Sequence, residues 1–468
     1  MASSSSPASA TTSDEPKIKV GIIGGGIAGL SCAAHLSALS PNIEPTVFDT
    51  GRLRPGGRCS SRLPGDKSKD KRANQNTPLS KFVVDHAAQI LTIPSSDDDD
   101  EWAEFEQQVS AWEKSGVLRR FPTDSVVELR DKGGEKGEDI TIRSMNHEQN
   151  KSSMYFGAQG MGSIPAAIAS GGDFKIEQDV WISPSNGVKF IGSTDSPLWT
   201  IQTNGKRFGN FDRIVIAHNG KCADRLMSRT PAKSLHSLLR TNFAAYAPAW
   251  GGKKMTLNSI YSLTFVIKKE NSPIGQILGE NVYSAFLKNE PTLRFLTCQS
   301  RKYNESENSN LECWTLLSSP KFAKKFKGPQ ENLPKERIEE VTNHMITALE
   351  KSLNLTSGTI RSDTLMDSRL QLWGAAVPLN TWNNGEGDDV TSEYTSSEKG
   401  FIYDSEHGVG VCGDWLLDPS IGGAWESGRR LSNFIAKPRE ASESIGLPPN
   451  GTFRLSKASK ETSIGNVR

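Results

Sequence analysis

Residues 17–49 read KIKVGIIGGGIAGLSCAAHLSALSPNIEPTVFD, and this stretch decides the fold. The β-branched run 17–23 predicts a buried strand that ends at consecutive glycines. Residues 27–39 place apolar side chains at the helical period, and Pro41 ends that helix. A second strand follows at 45–49. A strand, a helix and a strand in this order predict a parallel sheet of the α/β class.

The glycines between the first strand and the helix form a Gly24-x-Gly26-x-x-Gly29 pattern. In this context the pattern predicts a turn that binds a dinucleotide. Gly24 permits the turn, Gly26 lets the backbone approach a pyrophosphate, and Gly29 lets the helix pack closely on the strand. Ile27 and Ala28 begin the helix, whose N-terminal N–H groups suit phosphate oxygens.

Asp49 ends the second strand 20 residues after Gly29. A carboxylate in this position can accept a hydrogen bond from a ribose hydroxyl. These features alone do not distinguish NAD from FAD, and Arg52 could instead meet the 2′-phosphate of NADP.

A second motif, Arg54-Pro55-Gly56-Gly57-Arg58, follows shortly after Asp49. Gly56 and Gly57 permit another close approach to phosphate, and Arg58 offers a fork of donors to its oxygens. A nicotinamide site has no need of this second motif, so the tandem favours FAD.

A third motif lies near the C-terminus, where a strand ends at Gly413-Asp414 and a helix begins near Ile421-Gly422-Gly423-Ala424. The N-terminus of a helix favours negative charge. This helix start therefore suits a ligand group that carries negative charge.

The three motifs together resemble the FAD-dependent amine oxidase superfamily, whose second flavin signature is Arg-x-Gly-Gly-Arg-x-x-Ser/Thr. The blocks at 85–89, 160–165, 372–378 and 413–428 resemble those of its renalase-like members. This resemblance implies that Asp414 binds the ribityl chain and that Gly422, Gly423 and Ala424 approach the ring. It also adds Val180 to the cofactor-binding residues. Asp49 stands where the superfamily commonly has Glu, and the shorter carboxylate should still serve.

The resemblance implies less about the substrate pocket, because residues 231–360 match poorly. Gln89 is expected on the active-site side of the flavin, with Trp373 and Trp425 as candidate walls. His86 is expected to be a packed or loop histidine rather than a catalytic base. Lys302 lies near the place of the lysine found in many amine oxidases, but its surroundings favour a surface charge.

The predicted architecture is a Rossmann-like FAD-binding domain interleaved with an α+β substrate domain built on a mainly antiparallel sheet. The FAD-binding domain is expected to comprise residues 17–92, 151–230 and 363–438. The substrate domain is expected to comprise residues 93–150 and 231–362. Residues 1–16 and 439–468 are expected to be a disordered tail and a flexible tail.

The composition and charge of the chain limit the expected partners, metal sites and cellular location. The net charge of +1 gives no general attraction to nucleic acid or to anionic membranes, and no stretch approaches the ~20 apolar residues of a membrane span. The 6 cysteines contain no Cys-x-x-Cys pair and no metal-ligand spacing, so we expect no metal site and a reducing compartment. The cytoplasm is the expected location. A plastid is the alternative if the Ser-rich N-terminus acts as a transit peptide.

The flavin is expected to carry the chemistry, so no catalytic protein nucleophile is predicted. The leading hypothesis is hydride transfer from a small reduced carbon–nitrogen compound, either an amine or a renalase-like dihydronicotinamide isomer. Dioxygen or another acceptor would then take the electrons. A desaturase or isomerase acting on an isoprenoid or pigment is an alternative, and a non-catalytic flavin-bound interaction protein is another. The oligomeric state is left open.

Overall fold

The computed structural model describes 13 stretches of the chain: residues 17–66, 77–94, 100–130, 140–146, 153–203, 205–243, 257–270, 272–303, 310–329, 332–360, 365–378, 400–437 and 443–447. The expected N-terminal tail lies outside the described residues, and so does the expected C-terminal tail apart from 443–447. No helix within these stretches is long and apolar enough to cross a membrane.

The described residues form two main sheets and several smaller ones. The strands are β1 Ile18–Ile23, β2 Ile43–Phe48, β3 Ser61–Arg62, β4 Val84–Asp85, β5 Leu91–Thr92, β6 Leu118–Arg120, β7 Val126–Arg130, β8 Thr141–Ser144, β9 Met154–Gly157, β10 Lys175–Glu177, β11 Val188–Phe190, β12 Trp199–Thr203, β13 Lys206–Phe211, β14 Arg213–Ile216, β15 Leu257–Lys268, β16 Ser284–Lys288, β17 Leu293–Cys298, β18 Leu311–Ser318, β19 Leu365–Pro378, β20 Ile402–Asp404 and β21 Val409–Val411. The helices are α1 Ile27–Leu39, α2 Ala103–Lys114, α3 Ser163–Ser170, α4 Gly220–Met227, α5 Lys233–Phe243, α6 Pro273–Leu278, α7 Gln299–Lys302, α8 Pro320–Lys325, α9 Lys335–Ser352 and α10 Ile421–Ile435.

The first main sheet has six strands in the order β10-β2-β1-β14-β21-β20. All neighbours are parallel except β20 with β21. Its strands are buried hydrophobic runs, as expected for a parallel sheet covered on both faces. This sheet confirms the predicted Rossmann-like α/β domain.

Helices α1 and α10 pack closely against each other beside this sheet. A Cβ atom added to Gly428 of α10 would lie 2.2 Å from the Ala28 carbonyl oxygen of α1. Only a residue without a side chain permits this approach, so the first and the last of the described helices cross at a fixed place.

The second main sheet has seven strands in the order β19-β15-β18-β17-β16-β7-β8. Every described pairing is antiparallel except β16 with β7. Helix α9 contributes Val341, Met345 and Leu349 to the apolar cluster of this sheet. The predicted mainly antiparallel sheet is therefore present.

Two expected domain boundaries differ from the structure. Helix α5 was placed in the substrate domain, but its Leu235 and Leu239 share an apolar cluster with Ile214 of the parallel sheet. Strand β19 was placed in the FAD-binding domain, but it pairs with β15 along most of its length. Sequence composition could not locate these changes, because both segments are apolar enough to pack on either unit.

Candidate cofactor site

The candidate site is a cleft at the carboxyl edge of the parallel sheet, where ligands of open α/β sheets bind. The segments that follow β1, β2, β14 and β21 meet there, together with the start of α10. Its lining comprises Gly24, Gly25, Gly26, Ile27, Ala28, Asp49, Thr50, Gly56, Gly57, Arg58, Cys59, Ala88, Ala217, His218, Asn219, Trp373, Gly374, Ala375, Gly413, Asp414, Ser420, Ile421 and Ala424. All three sequence motifs therefore contribute to one cleft.

The three glycines of the first motif differ in backbone conformation and in their surroundings. Gly24 has a φ of 120°, a conformation that L side chains rarely adopt. A Cβ on Gly29 would lie 1.9 Å from the Gly24 carbonyl oxygen, so Gly29 maintains the turn and does not itself line the cleft. A Cβ on Gly26 would meet no atom within 4 Å. Packing among the described residues does not require glycine at position 26, which faces open space in the cleft.

The Asp49 carboxylate lies at the end of β2, almost fully buried. It accepts hydrogen bonds from the backbone N–H of Gly25 at 3.2 Å and of Gly51 at 3.0 Å. Burial raises the pKa of Asp49, and the two backbone donors oppose this shift. These bonds orient the carboxylate within the cleft, in the position that the sequence predicts for a ribose partner.

Arg58 joins the second motif to the third. Its Nη1 atom donates to Asp414 Oδ2 at 2.7 Å and to the carbonyl oxygen of Ala376 at 2.5 Å. Burial lowers the pKa of Arg58, but the Asp414 carboxylate outweighs this and raises it overall. Arg58 was predicted to meet phosphate alone, and the structure adds this ion pair.

The start of α10 borders the cleft through Ser420, Ile421 and Ala424. Ser420 caps the helix by accepting a hydrogen bond from the Gly423 N–H at 2.9 Å. Gly422 and Gly423 were predicted to bind the cofactor but do not line the cleft. A Cβ on Gly422 would lie 2.8 Å from Phe105, and one on Gly423 would lie 2.0 Å from the Asp418 carbonyl oxygen. Close packing explains both glycines.

Three further candidates lie outside the cleft lining. Arg54 pairs with Asp66 in a separate surface groove. Val180 is buried, and its N–H donates to the Asp49 carbonyl oxygen at 2.9 Å, so it supports the end of β2. Trp425 is not a pocket wall, because it is buried in the core against Phe105 and His35.

Lys302 was expected to be a surface charge, and this expectation is wrong. The side chain is fully buried, and its Nζ donates to Asp85 Oδ2 at 2.8 Å and to the Gln89 carbonyl oxygen at 3.0 Å. The hydroxyl of Tyr303 donates to the same Asp85 oxygen. Burial lowers the pKa of Lys302, and the neighbouring Asp85 carboxylate opposes that shift.

Gln89 belongs to this buried cluster and does not line the cleft. Its amide donates to the Asp85 carbonyl oxygen at 2.9 Å, and its Oε1 accepts from Gln299 Nε2 at 2.9 Å. The preceding residue, Ala88, does line the cleft. The cluster therefore lies directly behind the cleft wall, where it fixes the position of Ala88.

Among the described residues, Cys59 is the thiol that lines the cleft, and it is not activated. Burial raises the pKa of Cys59 to about 12, which keeps its thiol protonated at neutral pH. Trp373, expected as a wall of the substrate pocket, lines this cleft, and its indole donates to the His86 carbonyl oxygen at 3.2 Å. His218 also lines the cleft and was missed in the sequence, because an isolated His after a strand carries no motif. Burial lowers its pKa.

Comparison with known proteins finds a matching family model and solved structures of similar fold. Residues 22–108 match the family model of the NAD(P)-binding Rossmann-like domain. A putative protoporphyrinogen oxidase from Exiguobacterium sp. 255-15 superposes with a TM-score of 0.55 at 10% identity, covering 90% of this chain and 98% of that one. Cyclohexylamine oxidase from Brevibacterium oxydans IH-35A gives 0.54 at 9% identity, covering 91% and 100%. Wild-type putrescine oxidase bound to putrescine gives 0.51 at 10% identity, covering 90% and 99%.

The chain shares its fold with these oxidases. The resemblance inferred from the three motifs is thus confirmed at the level of the fold. Identities near 10% show the fold alone.

Proposed function

We propose that the chain is an FAD-dependent oxidoreductase that oxidises a small reduced carbon–nitrogen compound. The observation that carries this proposal is the convergence of the three motifs on one cleft. A nicotinamide dinucleotide would need only the first motif with its acid. The second motif and the Gly413-Asp414 turn with its helix suit a longer flavin cofactor.

The residues fit FAD on two structural grounds. The open space around Gly26 at the start of α1 leaves room for a pyrophosphate beside helix N–H groups. The buried Asp49 carboxylate is oriented to accept a hydrogen bond from a ribose hydroxyl. We further propose that Arg58 neutralises the pyrophosphate while Asp414 binds the ribityl chain, so that their ion pair links the two halves of the site.

When bound, FAD supplies the hydride-accepting ring. The residues of the chain position it and exclude water. With FAD bound, the capped N-terminus of α10 would stabilise negative charge on the ring through the helix dipole. Trp373 forms one wall of the cleft and is held in orientation by its bond to His86. Aromatic walls of this kind suit planar compounds and keep the site dry.

The substrate class rests on the fold and on the renalase-like sequence blocks. Two structural neighbours are named for the oxidation of amines, cyclohexylamine and putrescine. The blocks at 85–89 and 413–428 instead favour a dihydronicotinamide isomer. Both are small compounds with an oxidisable carbon–nitrogen unit, and dioxygen or another acceptor would take the electrons.

Anaerobic bleaching of the bound flavin tests this proposal. The FAD-loaded protein is mixed with putrescine, cyclohexylamine, dihydronicotinamide isomers and protoporphyrinogen, and flavin absorption is followed by stopped flow. We expect at least one carbon–nitrogen compound other than protoporphyrinogen to bleach the flavin in a saturable manner. Reduction by protoporphyrinogen alone would favour the pigment alternative. Reduction by none of them, with FAD stably bound, would favour a non-catalytic role.

A further inference from the structure

A basic groove lies on the other side of the segment that carries the second motif. It has a volume of about 420 Å³, and four arginines from three segments line it: Arg52, Arg54, Arg62 and Arg369. Arg52 and Arg369 are exposed, and neither lines the cofactor cleft. This groove therefore presents a second set of cationic side chains, distinct from Arg58.

The charge of the groove lining is positive. Its acidic residues in the described part of the chain are Asp66 and Asp179, against four arginines. Asp66 already pairs with Arg54 and accepts the Leu63 N–H at 2.8 Å. Among the described lining residues, arginines thus outnumber carboxylates by two, in a concave surface where field lines focus and attract anions.

His86 is a further lining residue and lies close to these arginines. Its pKa is lowered to about 4, first by burial and then by the charges of Arg369 and Arg62, with Asp85 opposing them. The imidazole is therefore neutral near pH 7 and adds no charge of its own.

The groove is continuous with two other features. A smaller pocket shares Arg62, His86 and Arg369 with it and extends to Gln371 on β19. Residues 369, 371 and 373 project from one face of β19, because side chains alternate along a strand. Trp373 at the end of this row lines the cofactor cleft. A ligand in the groove would therefore lie beside the cleft wall.

We propose that this groove binds a phosphate-bearing anion, with Arg52, Arg62 and Arg369 as its donors. Planar guanidinium forks match phosphate oxygens in geometry as well as charge. Convergence of several arginines selects a multiply charged anion over a monovalent one. The proposal concerns a site beyond the FAD cradle and does not depend on which compound reduces the flavin.

The test is calorimetric titration of the FAD-loaded protein with inorganic pyrophosphate at constant ionic strength. Bound FAD occupies the cleft, so the probe reports on the groove. We expect saturable binding that weakens about tenfold in Arg369→Gln and in Arg52→Gln, the effect of losing one charge-assisted contact. Arg207→Gln removes an exposed arginine from β13, outside the groove, and should leave the affinity unchanged.

Two sources of the phosphate give different kinetics. If the phosphate belongs to the flavin's own substrate, pyrophosphate will inhibit flavin reduction competitively, and Arg369→Gln will raise KM with little change in kcat. If it belongs to a separate ligand, pyrophosphate will bind without competing. The proposal is overturned if pyrophosphate does not bind, or if both groove variants bind it as well as Arg207→Gln does.

Discussion

Removal of the Lys302 ammonium should cost far more stability than removal of an ordinary surface lysine. Nζ of Lys302 lies 2.8 Å from Asp85 Oδ2, and both side chains are fully buried. At an effective dielectric constant of about 20, two charges at this separation attract each other by about 6 kcal/mol. Desolvation offsets much of that energy, but losing one partner leaves the other charge buried and uncompensated. The expected cost of Lys302→Met is therefore about 3–5 kcal/mol.

The assay compares thermal and denaturant unfolding of wild type, Lys302→Met, Asp85→Asn and the double variant. The control is Lys288→Met, because Lys288 forms a more exposed pair with Glu128 at 3.7 Å that should contribute about 0–1 kcal/mol. A loss of 3–5 kcal/mol should lower the unfolding midpoint by at least about 5 °C.

The double variant should lose less than the sum of the single variants. Asp85 Oδ1 accepts from Ser61 Oγ and from the Met161 N–H, so an Asn oxygen can retain both bonds. The Asn amide would then face the Tyr303 hydroxyl, which can accept, and no unpaired charge would remain. The reasoning is refuted if Lys302→Met costs no more than Lys288→Met, or if the two single effects simply add.

Three further predictions concern the cleft. Gly26→Val should fold normally but weaken FAD binding at least tenfold, as a flavin titration would show. Gly29→Ala should instead lower the stability of the fold, because its Cβ would lie 1.9 Å from a backbone oxygen, and unfolding curves would detect this loss. Asp414→Asn should weaken FAD binding and also release Arg58, so the double variant with Arg58→Met should lose less FAD affinity than the sum of the two single losses, as a double-mutant cycle would show. The pKa of His86 is about 4 in the folded chain and about 6.5 when unfolded, so the unfolded state binds more protons between these values. Stability should therefore fall as the pH drops from about 6.5 to 4, by at most about 3–4 kcal/mol, and His86→Gln should flatten that part of the pH–stability curve.

The part of the fold that contains the parallel sheet could be predicted from the sequence, because the motifs that indicate it are local. The predicted helix 27–39 coincides with α1, and the turn and strand-end acid lie within one short segment. Gly413-Asp414 was recognisable for the same reason, since the strand, the turn and the helix follow one another directly.

The features that sequence could not supply depend on contacts between distant residues. Lys302 and Asp85 are separated by 217 positions, and Arg58 and Asp414 by 356. Nothing near Lys302 indicates burial, because its neighbours Arg301 and Tyr303 are equally compatible with a surface turn. Likewise, Gly422 and Gly423 resemble cofactor-binding glycines, and only the positions of Phe105 and Asp418 show that close packing requires them.

The absorption spectrum of the purified, FAD-equilibrated protein tests the central claim most directly. The three motifs that line one cleft predict a yellow protein with flavin bands and about one FAD per chain, retained through gel filtration. Gly26→Val serves as the matched control and should be folded but nearly colourless. A wild-type chain that is folded by circular dichroism, remains colourless after equilibration with FAD and binds NAD instead would contradict the account.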